Sequence, residues 1–160
     1  MFIYYLISII IIAVDQLTKY LTVENIALHE RVTVIPGVLS FTYHQNTGAA
    51  WSILEGQMLF FYIVTVIVVG VIIYYMQTAA KGDPLFALSL SFFLGGAIGN
   101  FIDRLFLQYV IDMIRLDFIN FPIFNIADMA LSVGVGLMLV YLLVDEWKNY
   151  QKKKAGHTHE

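Results

Sequence analysis

The chain of 160 residues is 59% hydrophobic and only 13% charged, and its mean hydropathy is +0.76. A water-soluble domain of this length cannot bury so much apolar surface in one core, so the composition indicates a membrane protein. The absence of cysteine excludes disulfides, thiol nucleophiles and thiolate metal sites. The net charge of −3 is uninformative in such a protein, and no basic stripe suggests a nucleic-acid partner.

Four apolar runs are close to the ~20 residues that cross a bilayer as a helix. They cover residues 2–23, 58–77, 85–107 and 127–144. The first run has neither the basic start nor the small-x-small cleavage site of a secretory signal peptide, and Asp15 and Lys19 interrupt it. We therefore predict an all-α membrane protein, a single domain over residues 1–160 in which four transmembrane helices form a bundle.

Positive charge in the short flanking segments predicts the orientation of the bundle. The tail at 148–160 carries four lysines, and the loop between the second and third spans carries Lys81. The opposite side carries Arg31, Arg104 and Arg115. With an even number of spans, this balance predicts that both termini are cytoplasmic.

Two segments are predicted to lie outside the membrane. The first, at about 28–50, is a small β-element, because apolar residues alternate with period two on both sides of Pro36-Gly37. Those alternating residues are Val32, Val34, Leu39, Phe41 and Tyr43. The second segment, at about 108–126, is largely apolar, and we expect an interfacial loop or helix there.

Polar residues of the spans fall at one depth when each helical residue is given a rise of ~1.5 Å. These residues are Asp15, Lys19, Asn100, Asp103, Arg104, Asn125 and Asp128. Ionisable groups at such depths are costly, so they indicate a functional site. A transporter usually binds its cargo near the midplane, whereas this layer lies near the external surface.

Several members of the layer also have purely structural interpretations. Asp15 and Lys19 have the order and spacing of a helical ion pair that neutralises itself. Gly95 and Gly99 form a small-xxx-small pair that lets helices approach closely. Arg104 can simply extend its charged end to the interface.

Other catalytic chemistries find little support in the chain. His29-Glu30 begins like a zinc protease motif, but Thr33 stands where the second histidine is needed. The remaining histidines are His44 and two in the tail, so we expect no metal and no cofactor. No G-x-S-x-G occurs, and Asp15 would keep Lys19 charged and therefore unsuited as a base.

Asp112 and Asp128 stand at the two ends of the second external segment. Two carboxyl groups within reach of each other share a proton, so that one activates water while the other protonates the carbonyl or the leaving amine. That is the chemistry of an aspartic peptidase. Asp128 also fits an ordinary helix N-cap, and the sequence leaves open whether the two acids meet.

Five blocks follow one another in a fixed order on this frame. They are DQLTK at 15–19, NTGAAWS at 46–52, GGAIGNFIDR at 95–104, VID at 110–112 and FNIAD at 124–128. Together they resemble the lipoprotein signal peptidases (signal peptidase II) of bacteria. Two departures are His44-Gln45-Asn46, where many members carry His-Arg-Asn, and Ile111-Asp112-Met113, where Val-Asp-Phe is usual. Neither removes a carboxyl group.

The resemblance implies an intramembrane aspartic endopeptidase that needs no cofactor. It would remove the signal peptides of prolipoproteins just before a diacylglyceryl-modified cysteine. Asp112 and Asp128 would be the catalytic pair. The resemblance also implies residues that bind the substrate or support the site, namely Asp15, Asn46, Asn100, Arg104 and Asn125. To these we add Lys19, Gly48 and Gly99.

The expected partners are lipidated prolipoproteins and membrane lipids. We expect a monomer in the cell membrane with its active site near the external face. The β-element and residues 48–52 are expected to cover the site as a clamp or lid. Two rival interpretations remain: an ion-coupled transporter that uses Asp15, Asp103, Asp112 and Arg104 as a relay, and a non-enzymatic membrane scaffold.

Overall fold

The computed structural model describes residues 1–48 and 53–156, and in them four long helices and three strands. In chain order they are α1 (Phe2–Asn25), β1 (Arg31–Ile35), β2 (Leu39–Asn46), α2 (Met58–Gln77), α3 (Pro84–Leu107), β3 (Val110–Leu116) and α4 (Ile126–Gly156). Each helix is long and apolar enough to span a membrane, which confirms the predicted four-span architecture. Helix α4 continues beyond the predicted end of the fourth span and into the tail.

Helix α3 is the centre of the bundle and packs against the other three helices. Three glycines make this possible. A Cβ atom on Gly95 would lie 2.8 Å from the Ile11 side chain, and one on Gly96 would lie 2.5 Å from the Ala127 carbonyl oxygen. A Cβ atom on Gly99 would lie 2.7 Å from Asp15 Oδ2. The small-xxx-small spacing therefore serves close helix packing, as its structural interpretation predicts.

One end of the bundle is held by an apolar cluster of α2, α3 and the loop between them. Its buried members are Ile72, Met76, Ala80, Ala87, Leu90 and Leu94. Helix α3 begins at this end, where the Asp83 side chain accepts a hydrogen bond from Phe86 N (3.0 Å) and Pro84 occupies the first turn. Most of the remaining surface of α2 is exposed and apolar, as lipid contact requires.

The opposite end of the bundle carries an antiparallel sheet in the order β1-β2-β3. Strands β1 and β2 form the predicted hairpin, with Gly37 at φ +72° in its turn. The expected loop or helix after α3 is instead strand β3, which pairs with the free edge of β2 so that His44 faces Asp112. That pairing joins segments more than sixty residues apart, so the local sequence pattern of β3 did not reveal it.

Candidate active site

Asp112 is buried at the centre of strand β3, with 2% of its surface exposed. Asn46 Nδ2 at the end of β2 donates a hydrogen bond to its Oδ2 (3.0 Å), and Asn125 Nδ2 donates one to its Oδ1 (2.7 Å). Burial raises the pKa of the Asp112 carboxyl to about 7, and the nearby Asp128 carboxylate contributes to the rise. Near neutral pH, Asp112 therefore exists in both protonation states.

Asp128 lies in the first turn of α4, and Asn125 is the residue that caps this helix. Asn125 Oδ1 accepts a hydrogen bond from Asp128 N (2.9 Å), while Asp128 Oδ2 accepts one from Asn125 N (3.2 Å). This reciprocal arrangement is a capping box, so Asp128 occupies the third helical position (N3) and is not the N-cap. Its other oxygen, Oδ1, accepts a hydrogen bond from Asn100 Nδ2 (2.8 Å).

Two asparagine side chains join the acids into one network. Asn125 Nδ2 donates to Asn100 Oδ1 (3.0 Å) as well as to Asp112, and Asn100 in turn donates to Asp128. No hydrogen bond joins the two carboxyl groups directly in the described part of the chain. The neutral side-chain amides of Asn100 and Asn125 thus link the two acids. Their hydrogen bonds fix the orientation of both carboxyl groups.

A buried cluster of three ionic side chains, the ion cluster, contacts the amide network. Lys19 Nζ lies 2.8 Å from Asp15 Oδ2 and 2.9 Å from Asp103 Oδ2, and it donates to Asn100 Oδ1 at 3.1 Å. The predicted Asp15–Lys19 ion pair is therefore present, and Lys19 extends it to α3. At most 2% of each of these three ionic residues is exposed.

The two carboxylates of the ion cluster also hold the segments that carry the acids. Asp15 Oδ1 accepts a hydrogen bond from Ala127 N (2.8 Å) at the start of α4, where the helix dipole favours an anion. Asp103 Oδ2 accepts one from Ile111 N (3.0 Å), directly before Asp112. Our site assignment omitted Asp103, although the depth argument had placed it in the polar layer.

Arg104 reaches the segment after β2. Its Nη2 donates to the Gly48 carbonyl oxygen (3.1 Å), and its guanidinium lies over the Phe61 ring, 4.5 Å from the centroid. Gly48 N donates to Asn46 Oδ1 (2.9 Å), which links this contact to Asp112. Arg104 therefore contacts the site, and its role is more than extending its charged end to the membrane interface. Of the lid expected at 48–52, residues 49–52 lie outside the described residues.

A cavity of about 170 Å³ opens beside Asp112. His44 and Asn46 line one side and the segment 120–123 lines the other. Burial and the nearby His29 lower the pKa of His44, so its imidazole is neutral at neutral pH. No group of three or more metal-ligating side chains lies together in residues 1–48 and 53–156.

Every assigned site residue thus belongs to one contiguous region. Asp112, Asp128, Asn46, Asn100 and Asn125 form the amide and carboxyl network. Asp15 and Lys19 form the ion cluster, Gly99 leaves room for Asp15, and Arg104 binds Gly48. A protein of four membrane-spanning helices with a buried, amide-linked pair of carboxyl groups belongs to the class of membrane proteins equipped for acid and base chemistry on water.

Comparison with known proteins defines the family. Residues 7–144 match the family model of signal peptidase (SPase) II. A lipoprotein signal peptidase of Listeria monocytogenes serotype 4a (strain HCC23) is 59% identical over 147 residues, which is 91% of this chain and 96% of the relative. One of Enterococcus faecalis (strain ATCC 700802 / V583) is 56% identical over 144 residues, covering 90% and 89% of the two chains.

The fold has solved counterparts as well. A bacterial membrane enzyme determined by the in meso method at 2.3 Å resolution superimposes with a TM-score of 0.88 at 38% identity, covering 91% of this chain and 90% of that one. A second, at 1.9 Å resolution, gives a TM-score of 0.84 at 38% identity, covering 89% and 94%. The chain belongs to the signal peptidase II family, and it is a multi-pass membrane peptidase.

Proposed function

We propose that this protein is an intramembrane aspartic endopeptidase that cleaves the signal peptides of diacylglyceryl-modified prolipoproteins, N-terminal to the lipidated cysteine. The observation that carries the proposal is the linkage of Asp112 to Asp128 through Asn125 and Asn100. The lipoprotein signal peptidases that resemble the chain over about nine-tenths of its length support the choice of substrate.

In this proposal Asp112 and Asp128 are the catalytic residues and share one proton. We assign the donation of this proton to Asp112, whose pKa burial raises to about 7, and its acceptor is the carbonyl oxygen of the scissile bond. Asp128 acts as the base that removes a proton from the attacking water. Asp128 then gives its proton to the leaving amine as the C–N bond breaks, while Asp112 takes back a proton from the hydroxyl group of the tetrahedral diol that becomes the product carboxyl, and this restores the starting proton count.

The remaining residues orient the acids and the substrate. Asn100, Asn125 and Asn46 donate hydrogen bonds that hold the carboxyl groups in place. Arg104 holds Gly48 and, within the described residues, has a buried Nε without a hydrogen-bond partner. Such a donor suits a carbonyl oxygen of the substrate. Asp15, Lys19 and Gly99 act indirectly, because they fix the helices that carry the network.

We further propose that the protein is a monomer of one domain in the cytoplasmic membrane. Both termini would be cytoplasmic, and the site would lie near the external face. The lysines of the tail and Lys81 support this orientation. The sheet and the acid pair lie at the other end of the bundle, where a lipid anchor would hold the scissile bond at the depth of the two acids.

A cleavage assay tests this function directly. Purified protein in nanodiscs is incubated with a lipidated precursor and with the same precursor lacking the diacylglyceryl group, each with and without a metal chelator. We expect cleavage of the lipidated precursor only, at the bond before the cysteine and at the same rate with chelator. Ion flux in liposomes without cleavage of either precursor would instead support the transporter interpretation.

A further inference from the structure

An apolar groove lies between α1 and the sheet, outside the network described above. It has a volume of about 430 Å³, within the range of about 300–1,000 Å³ that is typical of small-molecule sites. Leu21 of α1 and Ile26, which directly follows this helix, form one wall, and Phe41, Met113, Ile114 and Ile126 form the other. No side chain with a formal charge is among its lining residues in the described part of the chain.

The polar side chains of the groove make their hydrogen bonds within α1. Thr18 Oγ1 donates to Asp15 O (2.8 Å), Thr22 Oγ1 donates to Thr18 O (2.9 Å), and Asn25 Nδ2 donates to Leu21 O (2.8 Å). Their polar atoms therefore already have partners and are not needed by a ligand of the groove. The groove therefore offers mainly apolar contacts, and its ligand must be apolar as well.

The groove lies on the other side of α4 from the acid pair. Ile126 lines the groove, whereas Asp128 binds Asn100 on α3. Two residues along an α-helix of 3.6 residues per turn are rotated by about 200°, so these side chains point in nearly opposite directions. The groove also shares no lining residue with the cavity beside Asp112. This position argues against the groove as a site for the substrate.

The surroundings of the groove indicate what fills it. Its α1 residues, from Thr18 to Asn25, span about 10 Å of helix rise, which is within one leaflet of a hydrocarbon core ~30 Å thick. The groove is continuous with the exposed apolar surface of this helix, where Leu17 is 57% and Leu21 is 49% exposed. Lipid chains are the solvent of that surface, so a lipid chain has direct access to the groove.

We propose that one acyl chain of a membrane phospholipid binds in this groove as a specific ligand. The chain restores the van der Waals contacts that an empty groove lacks. It packs against Met113 and Ile126, which lie next to Asp112 and close to Asp128 in sequence. The bound lipid thus packs against the two segments that carry Asp112 and Asp128, on the side opposite the carboxyl groups.

Two tryptophan substitutions on α1 test this site as a matched pair. Leu21→Trp fills the groove from its wall, whereas Leu17→Trp places the same side chain one turn away, outside the groove. Each protein is purified in detergent, stripped of loosely bound lipid and analysed by native mass spectrometry. We expect the wild-type protein and Leu17→Trp to retain one phospholipid, and Leu21→Trp to show at least a tenfold lower occupancy.

Refilling experiments identify the source of the chain and guard against a misfolded variant. Protein that has been fully delipidated, so that the groove is empty, receives phosphatidylglycerol or a lipidated precursor at equal concentration, and Ile26→Trp serves as a second groove-filling variant. We expect phosphatidylglycerol to bind and to raise the Tm of the wild-type protein and of Leu17→Trp, but not of either groove-filling variant. Retention of phospholipid by both groove-filling variants, no retention by the wild-type protein, or binding of the precursor alone would each overturn the proposal.

Discussion

The two ends of the helix bundle are held together by different physical means. At one end, α2 and α3 bury apolar side chains such as Met76 and Leu90 against each other. At the other end, Lys19 and its two aspartates join α1 to α3 through charges that are almost completely buried. Apolar contacts tolerate changes of shape, whereas a buried charge requires its partner in place.

The difference indicates that the apolar end mainly stabilises the fold, whereas the polar end mainly positions Asp112 and Asp128. Burial of ions costs several kcal/mol per ion, and a buried pair often stabilises a fold no more than apolar residues of the same volume. The polar end retains its ions nevertheless. Asp103 and Asp15 bind the backbone next to Asp112 and Asp128, and Lys19 binds Asn100, which donates to Asp128. Substitutions at the two ends should therefore separate stability from activity.

The largest effect is expected for Lys19→Met. The substitution keeps the length of the side chain but leaves Asp15 and Asp103 as buried carboxylates without their cation, which should cost about 3–5 kcal/mol of unfolding free energy. Cleavage should be lost as well, because Asn100 loses a donor. Denaturant titration in detergent and a cleavage assay measure the two effects, with Lys81→Met in the exposed loop as control.

A double variant sharpens this prediction. Adding Asp103→Asn to Lys19→Met removes one of the two uncompensated charges, so part of the lost stability should return. Activity should not return, since Asn100 still lacks its Lys19 donor and the Asp103 carboxylate that accepts from Ile111 N has been replaced by an amide. Equal stability of Lys19→Met and the wild-type protein would show that the ions do not hold this end of the bundle.

At the apolar end, Met76→Ala should cost about 2–5 kcal/mol of unfolding free energy, because the side chain is fully buried and leaves a cavity. The cleavage rate per folded molecule should be unchanged, because α2 contacts no carboxyl group through this residue. The measurement is denaturation together with single-turnover cleavage below the transition. A large loss of activity in the folded variant would mean that the two ends are coupled.

Asn125→Ala should have a smaller effect on stability, about 1 kcal/mol, because a helix N-cap is lost. Its effect on cleavage should be stronger than its effect on stability, since Asp112 loses a hydrogen-bond donor and so does Asn100, which in turn donates to Asp128. Asn149→Ala, near the exposed end of α4, is the matched control. If Asn125→Ala reduced stability but cleaved at the normal rate, the residue would be a cap and nothing more.

The smallest effect is expected from a modest rise in pH. The pKa of Asp112 is raised to about 7, so the shared proton is lost as the pH passes through neutrality, and cleavage should fall about fivefold from pH 7 to pH 8. The stability that this group contributes has the same sign: it is fully present below its unfolded pKa of about 3.9 and is lost as the pH rises through 7. A rate that rises over this interval would reverse the assigned roles.

The sequence predicted the parts of the molecule that depend on local pattern and on depth. Four apolar runs are enough to define four helices, and counting residues along them brings Asp15, Lys19, Asn100 and Asn125 to one layer. The glycine spacing in α3 likewise predicted a close helix contact, and the structure shows such contacts with α1 and α4. These features depend only on helix geometry and on the thickness of a bilayer.

Features that depend on distant pairing were not predicted. Strand β3 forms because β2 offers it an edge, and its own residues alternate too weakly to show this. The capping role of Asn125 was missed because Asp128 fits the N-cap equally well until the start of α4 is known. Asp103 was left out of the site because its contact with Ile111 N exists only once β3 is in place.

Substitution of each acid by asparagine tests the central claim most directly. Asp112→Asn and Asp128→Asn keep the shape of the side chains, and Asp145→Asn makes the same change at an exposed position of α4. We expect cleavage of a lipidated precursor to fall by about 10²–10⁴-fold or more in each site variant and not at all in Asp145→Asn, with all three proteins folded in the membrane. Full activity in either site variant would contradict the two-aspartate account.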